Sequence, residues 1–169
     1  SKNIRELIVR GLKGGKRGHV GSSMSLVEIL IALYDHVLKF KSNDQNFPKR
    51  DRLILSKGHG CLALYAILAD KKFFPKKYLD SFCKSDSLLG GHPDITVPGV
   101  ETISGSLGIG FSVAVGIASS LKIKKNLNKV FVIIGDGELN EGIVWESCMS
   151  AFKNKLDNLV LIIDNNNLQ

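Results

Sequence analysis

At 169 residues the chain is long enough for one domain with a substantial hydrophobic core, and it is 44% hydrophobic. Its net charge of +7 comes from basic residues spread over several Lys-rich patches, without the interleaved aromatic residues of a nucleic-acid-binding surface. Its three cysteines are scattered and lack Cys-x-x-Cys spacing, which argues against a disulfide framework or a zinc site and favours a reducing, cytoplasmic compartment.

Two helices are predicted at the start of the chain. The first contains Ile4 and Leu12 and is stopped by Gly14-Gly15, and the second runs from a capping box at Ser25 to about Lys39. The N-terminal segment lacks the apolar region of a secretory signal. The longest apolar run, residues 26–34, is interrupted by Glu28 and is shorter than a transmembrane helix. We therefore expect neither secretion nor a membrane partner.

Strands and helices then alternate. A short strand over residues 52–55 leads into Ser-Lys-Gly-His-Gly at 56–60, and helices are predicted over 61–73, from Pro75 to about Lys84, and over 108–121. Residues 88–105 form a long segment rich in Gly and Pro, and such loops are usually functional. This alternation predicts an α/β fold with a parallel β-sheet flanked by helices.

The last forty residues predict a βαβ unit. Residues 130–134 and 159–163 are short apolar runs typical of strands covered on both faces. Asn140 and Glu141 open the helix between them, and its apolar residues recur as one stripe: Trp145, Cys148, Met149, Phe152 and Leu156. The two strands are then parallel and end at one edge of the sheet, where open α/β sheets bind ligands.

Two oxygen-bearing side chains follow these strands. Asp136 comes directly after the first strand within Gly-Asp-Gly, and Asn166 follows the second. Mg²⁺ prefers oxygen ligands and usually takes one or two from side chains, with phosphates and water completing its shell. Gly-Asp-Gly alone is equally well explained as a tight turn, but the Asn cluster after the second strand favours a metal that holds a diphosphate.

Three of the four histidines lie in glycine-rich loops. His19 is in Gly-His-Val-Gly, His59 in Ser-Lys-Gly-His-Gly and His92 in Gly-Gly-His-Pro-Asp. A single loop histidine is more often a surface or capping residue, whereas three together indicate a site in which imidazoles bind phosphate or transfer protons. Gly105-Ser-Leu-Gly-Ile-Gly110 has the wrong spacing for a dinucleotide-binding loop, and a Walker A loop is absent, so NAD and ATP are not expected.

Through these motifs the chain resembles the thiamine-diphosphate-binding N-terminal part of transketolase over nearly its whole length. Gly-Asp-Gly followed by Asn after about thirty residues is typical of thiamine-diphosphate enzymes in general. Ser-Lys-Gly-His-Gly and Gly-His-Pro-Asp narrow the resemblance to transketolase, with the N-terminal subunits of two-chain bacterial enzymes most similar. Residues 1–169 are then a thiamine-diphosphate-binding domain with the corresponding fold, truncated at its C-terminal side.

The resemblance implies a role for each matching residue. Asp136 and Asn166, with the backbone carbonyl of Leu168, would bind Mg²⁺ or, in its place, Ca²⁺ or Mn²⁺. His59 and the backbone of Gly137 would contact the diphosphate, and Glu138 is grouped with the cofactor-binding residues. Gly105 and Leu107 would lie against the cofactor rings, whereas His19 and His92 would face the reacting sugar. His19, His59 and His92 are thus the expected catalytic residues.

The implied activity is transfer of a two-carbon ketol unit from a ketose, often phosphorylated, to an aldose. It requires a partner subunit that carries the pyrimidine-binding domain, and self-association is also expected. Another thiamine-diphosphate enzyme, such as a deoxyxylulose-phosphate synthase or a ketoacid dehydrogenase E1 part, stays open, as does a non-catalytic homologue that assembles with or regulates a partner. Val20 and Ile109 depart from the family pattern, where Pro and Gln or His are usual.

Overall fold

Three strands form one parallel sheet in the computed structural model, which describes residues 1–166. The strands are β1 (Arg52–Leu55), β2 (Val130–Gly135) and β3 (Leu159–Asp164). β2 is central and pairs in parallel with both neighbours. The predicted parallel α/β architecture is confirmed.

Six α-helices surround the sheet within the described residues. They are α1 (Lys2–Gly15), α2 (Val20–Ser25), α3 (Val27–Ala32), α4 (Cys61–Asp70), α5 (Ile109–Ile123) and α6 (Gly142–Lys153). α3 continues into a π-helical turn, Leu33–Val37, and 3-10 turns cover Gly58–Gly60, Lys76–Ser81 and Asp136–Asn140. The helix predicted from Pro75 to Lys84 is thus only the short turn Lys76–Ser81.

The core lies on both faces of the sheet. Successive strand residues point to opposite faces, so Leu53 and Ile133 pack with the helices α1, α3 and α4, whereas Ile54 and Val132 pack with α5 and α6. Every residue of β2 is buried. This burial on both faces is what the uninterrupted apolar run 130–134 predicts.

The prediction that β3 is covered on both faces is wrong for this chain. β3 lies at the edge of the sheet, and only its last residue, Asp164, is buried. Val160 and Ile163 are 36% and 43% exposed. An apolar run identifies a strand but does not say whether neighbouring elements cover it.

The apolar stripe predicted on α6 is also only partly correct. Cys148 and Leu156 pack into the part of the core that contains Ile54, Val132 and residues of α5. Trp145, Met149 and Phe152 are exposed. The helix instead buries Val144 and Ser147. α6 is apolar around more than one face, so its periodicity alone cannot identify the face that packs against α5.

The second helix begins earlier than predicted. α2 starts at Val20 with His19 at its N-cap position, so the predicted capping box at Ser25 does not form. The Ser25 hydroxyl instead donates to the Asp164 carboxylate at 2.6 Å, and its oxygen lies 3.3 Å from the Ser22 carbonyl oxygen. The local pattern predicts that Ser25 caps the start of a helix, but its side chain bonds Asp164, which is 139 positions away in the sequence.

By length and composition alone, the helical run Val20–Val37 is long and apolar enough to cross a membrane, whereas the sequence predicts no apolar run of that length. Buried core helices have the same length and composition. Here Leu26, Val27 and Leu30 are fully buried in the core, and Glu28 pairs with Arg5 at 2.7 Å.

Candidate functional site

The ends of β2 and β3 lie side by side. Gly135 and Asp164 are partners in the parallel register, so Asp136 and Asn166 both leave the sheet at its carboxyl edge. The Gly137 N–H donates to Asp136 Oδ1 at 3.1 Å, which holds this side chain at the start of its turn. The third predicted metal ligand, Leu168, lies outside the described residues.

Glu138 is buried and held in place by three hydrogen bonds. Its side chain is 1% exposed. Its Oε1 accepts hydrogen bonds from the Ser56 hydroxyl at 2.6 Å and the Gly108 N–H at 2.7 Å, and its Oε2 accepts one from the Gly135 N–H at 2.8 Å. Glu138 therefore joins the loops after β1 and before α5 to the Asp136 turn. This geometry favours a positioning role over the direct cofactor contact predicted for it.

The three loop histidines meet at one cavity. This cavity of about 380 Å³ is lined by His19, His59 and His92, together with Arg17, Cys83 and Gly91. The rings of His19 and His59 lie 5.5 Å apart, edge to face at 70°. Residues far apart in the sequence thus form one imidazole-rich pocket.

The loop that carries His92 is tethered from α4. The Tyr65 hydroxyl donates to the His92 carbonyl at 2.7 Å, and the Cys61 thiol donates to the Gly91 carbonyl at 3.1 Å. Burial raises the pKa of Cys61 to about 12, so this group stays a neutral thiol donor. These two side chains fix the backbone on either side of the imidazole.

Two predicted site loops approach each other too closely for larger residues. A Cβ at Gly58 would lie 2.8 Å from the Ser104 carbonyl oxygen, and one at Gly105 would lie 3.2 Å from the His92 ring. The Ser104 hydroxyl also bonds the Leu55 carbonyl at 2.5 Å. The structure therefore brings Gly105 against His92 and next to the loop of His59, as a common ligand site requires.

The environment of His59 favours its neutral form. Burial lowers the pKa of His59 most, and the positive fields of Lys57 and His19 lower it further. A histidine whose pKa is lowered by folding contributes stability above its ordinary pKa, and this contribution is lost as the pH falls. The imidazole is therefore neutral near pH 7 and can take up a proton beside an anion.

Sequence reasoning missed two buried charges at the same edge. Lys57 and Asp164 form an ion pair at 2.6 Å, with 2% and 7% of their side chains exposed. Their signal was a lysine two residues after the apolar run of β1 and an aspartate at the end of the apolar run of β3, since a buried charge needs a partner. Neither residue was assigned a role from the sequence.

The residues at this edge suit a metal-bound diphosphate. Asp136 and Asn166 offer carboxylate and amide oxygens, which Mg²⁺ accepts when phosphate and water complete its shell. Among residues 1–166, no group of three or more His, Cys, Asp and Glu side chains forms a metal site.

A parallel sheet with Asp136 and Asn166 at its carboxyl edge, together with a cavity lined by three histidines, is typical of open α/β proteins that bind a ligand at the ends of their strands. Comparison with known proteins identifies the class. All of residues 1–169 match the family described as "Transketolase, thiamine diphosphate binding domain". The chain belongs to this family.

Similar proteins share this fold and much of the sequence. The chain is 42% identical over 167 residues to the 6-deoxy-6-sulfo-D-fructose transketolase subunit SqwG of Clostridium sp. (strain MSTE9), covering 98% of this chain and 61% of that protein. It is 41% identical over 169 residues to an apulose-4-phosphate transketolase subunit from Phocaeicola vulgatus, covering 100% of this chain and 60% of that protein. A transketolase structure from Campylobacter jejuni superimposes with a TM-score of 0.91 at 33% identity, covering 99% of this chain and 28% of that one. The chain therefore spans about 60% of the length of the two subunits.

Proposed function

We propose that this chain is the thiamine-diphosphate-binding part of a transketolase that transfers a two-carbon ketol unit from a ketose to an aldose. The observation that carries the proposal is the meeting of His19, His59 and His92 at one cavity, in a chain that belongs to the transketolase family over its full length. A non-catalytic relative has no chemical need for all three imidazoles in one pocket.

The chain's own residues have distinct roles in this proposal. Asp136, Asn166 and the carbonyl of Leu168 hold a divalent cation (Mg²⁺, or Ca²⁺ or Mn²⁺), while Gly137 and His59 bind the diphosphate. Gly105 and Leu107 support the cofactor rings. His19 and His92 hydrogen-bond the hydroxyl and carbonyl oxygens of the sugar, where protons move. Thiamine diphosphate, when bound, supplies the carbanion chemistry, and the protein supplies position and electrostatics.

A partner subunit completes the proposed enzyme. Two of the similar proteins are named as transketolase subunits, and this chain spans about 60% of each. The partner would carry the pyrimidine-binding domain, and the substrates would be sugars or sugar phosphates. The three cysteines are free thiols, which suits a reducing cytoplasm. The chain assayed without its partner is expected to be inactive.

The test is a ketol-transfer assay of the complete enzyme with phosphorylated sugars. Replacing His19 or His92 by alanine is expected to lower kcat by roughly 10²–10⁴-fold, because each loses a positioned proton donor or acceptor. The affinity for thiamine diphosphate should change little. His36→Ala is the matched control, since His36 is an exposed histidine that does not line the cavity. Cofactor binding without ketol transfer to any sugar would favour another thiamine-diphosphate activity, and no cofactor binding would favour an assembly role.

The electrostatics of His59 give a second expected result. A diphosphate beside this neutral imidazole raises its pKa, so cofactor binding should take up a proton below neutral pH. The affinity should accordingly strengthen as the pH falls between the free and the bound pKa of His59. Calorimetric titrations in two buffers of different ionisation enthalpy measure this uptake. His59→Asn should abolish it and His36→Ala should not; equal uptake by the His59 variant would contradict the role assigned to His59.

A further inference from the structure

We propose that Lys57 and Asp164 form a positioning pair that sets the spacing between the cation-binding and diphosphate-binding loops, an inference that rests on the proposed function. Nothing in the motifs assigns these two residues a role. The pair lies at the carboxyl edge of the sheet, connects segments that carry predicted ligands, and is almost completely buried.

The pair is the centre of a small buried polar cluster. Lys57 Nζ donates to Asp164 Oδ2 at 2.6 Å, and the Ser25 hydroxyl donates to the same oxygen at 2.6 Å. Lys57 Nζ also lies 3.5 Å from the Ser25 oxygen. One carboxylate oxygen thus joins three segments of the chain: the end of β3, the loop after β1 and the helix α2.

In each of these segments a predicted site residue lies a few positions along the sequence from the residue that belongs to the cluster. Asp164 lies two residues before Asn166, Lys57 lies two residues before His59, and Ser25 ends the helix that begins after His19. Because the anchored residue and the predicted site residue are only two positions apart, the site residue has little freedom to move relative to the anchor. The cluster therefore sets the positions of a cation ligand and a diphosphate ligand relative to each other.

Glu138 holds the same loop from its other side. Ser56 donates to Glu138, whereas the next residue, Lys57, donates to Asp164. Consecutive side chains of one loop are thus fixed to carboxylates at the ends of two different strands. Such double anchoring suits a loop that must present His59 at a defined distance from the edge of the sheet.

Stability alone is a weak reason for this arrangement. A buried ion pair is often no more stabilising than apolar residues of similar volume, because both charges lose their hydration. Partners that orient metal ligands commonly change metal affinity by roughly 10–100-fold when they are replaced. A buried pair that anchors two segments carrying predicted ligands fits that second role.

The experiment compares two carboxylate-to-amide variants in the complete enzyme. Asp164→Asn should weaken Mg²⁺-dependent binding of thiamine diphosphate by roughly 10–100-fold and raise the Mg²⁺ concentration needed for half-maximal binding. Asp51→Asn is the control. Asp51 is 8% exposed and accepts bonds from the N–H groups of Lys39 at 3.0 Å and Lys129 at 2.8 Å, at the opposite edge of the sheet. It should lower the thermal unfolding temperature without changing the cofactor affinity.

Ser25→Ala is the second variant, for use if Asp164→Asn does not fold. It removes one bond to Asp164 without leaving a buried charge unpaired, and it should weaken cofactor binding by a smaller factor than Asp164→Asn. Unchanged affinity in both site variants, or an equal loss in Asp51→Asn, would overturn the positioning role. Failure of the unsubstituted enzyme to bind thiamine diphosphate would instead overturn the proposed function, so the two failures are distinguishable.

Discussion

Replacing Asp136 by alanine is expected to abolish Mg²⁺-dependent binding of thiamine diphosphate by the complete enzyme. Asp136 supplies the carboxylate at the edge where β2 and β3 end together. In the proposed metal site its loss would remove the anionic protein ligand, because the other proposed protein ligands, Asn166 and the carbonyl of Leu168, are neutral. The affinity should fall by more than about 100-fold, the upper range for partners that only orient metal ligands.

Calorimetric titration with thiamine diphosphate in the presence of Mg²⁺ measures this effect. Asp157→Ala is the matched control, because Asp157 precedes β3 at the opposite edge and pairs with Lys122 at 2.8 Å on the surface, where 85% of its side chain is exposed. The control should bind the cofactor like the unsubstituted enzyme. An Asp136→Ala variant with unchanged affinity for thiamine diphosphate would contradict the proposal that Asp136 is a metal ligand.

Replacing Glu138 by alanine is expected to give the largest loss of stability. The Ser56 hydroxyl and the N–H groups of Gly108 and Gly135 would lose their acceptor within a buried site. A buried donor without a partner costs about 1–3 kcal/mol, so the free energy of unfolding should fall by roughly 3–5 kcal/mol. Glu138→Gln keeps the shape and one acceptor oxygen, and it should cost less.

Thermal unfolding of the unsubstituted protein, Glu138→Gln and Glu138→Ala measures this order of stability. Glu146→Ala is the control, since Glu146 is exposed on α6 and its loss should change stability by less than about 0.5 kcal/mol. A Glu138→Ala variant as stable as the control would show that Glu138 does not hold the loops together.

The sequence was sufficient for the features that depend on local patterns. The apolar run of β2 predicted a strand covered on both faces, which its burial confirms, and the βαβ order placed Asp136 and Asn166 at one edge, as the register of Gly135 with Asp164 requires. The three histidines in glycine-rich loops predicted a shared site, and all three line one cavity. These features follow from periodicity, chain direction and sterics, which are properties of neighbouring residues.

Contacts between residues that are far apart in the sequence could not be predicted from local sequence patterns. Ser25 fits a capping box, yet its hydroxyl bonds Asp164, 139 positions away. The resemblance groups Glu138 with the cofactor-binding residues, yet its oxygens accept hydrogen bonds from Ser56 and Gly108, which belong to other loops. Trp145 fits an apolar helix face, yet the face that α6 packs against the core contains Val144 and Ser147. Each case depends on which other segment folds against the residue, and local spacing does not encode this.

A crystal structure of the complete enzyme with thiamine diphosphate and Mg²⁺ tests the central claim most directly. The cation should lie about 2.0–2.1 Å from oxygens of Asp136 and Asn166 and should bridge to the diphosphate. His59 should then lie within hydrogen-bonding distance of that diphosphate. A cofactor bound away from the carboxyl ends of β2 and β3, or a cation that neither Asp136 nor Asn166 contacts, would contradict the proposed function.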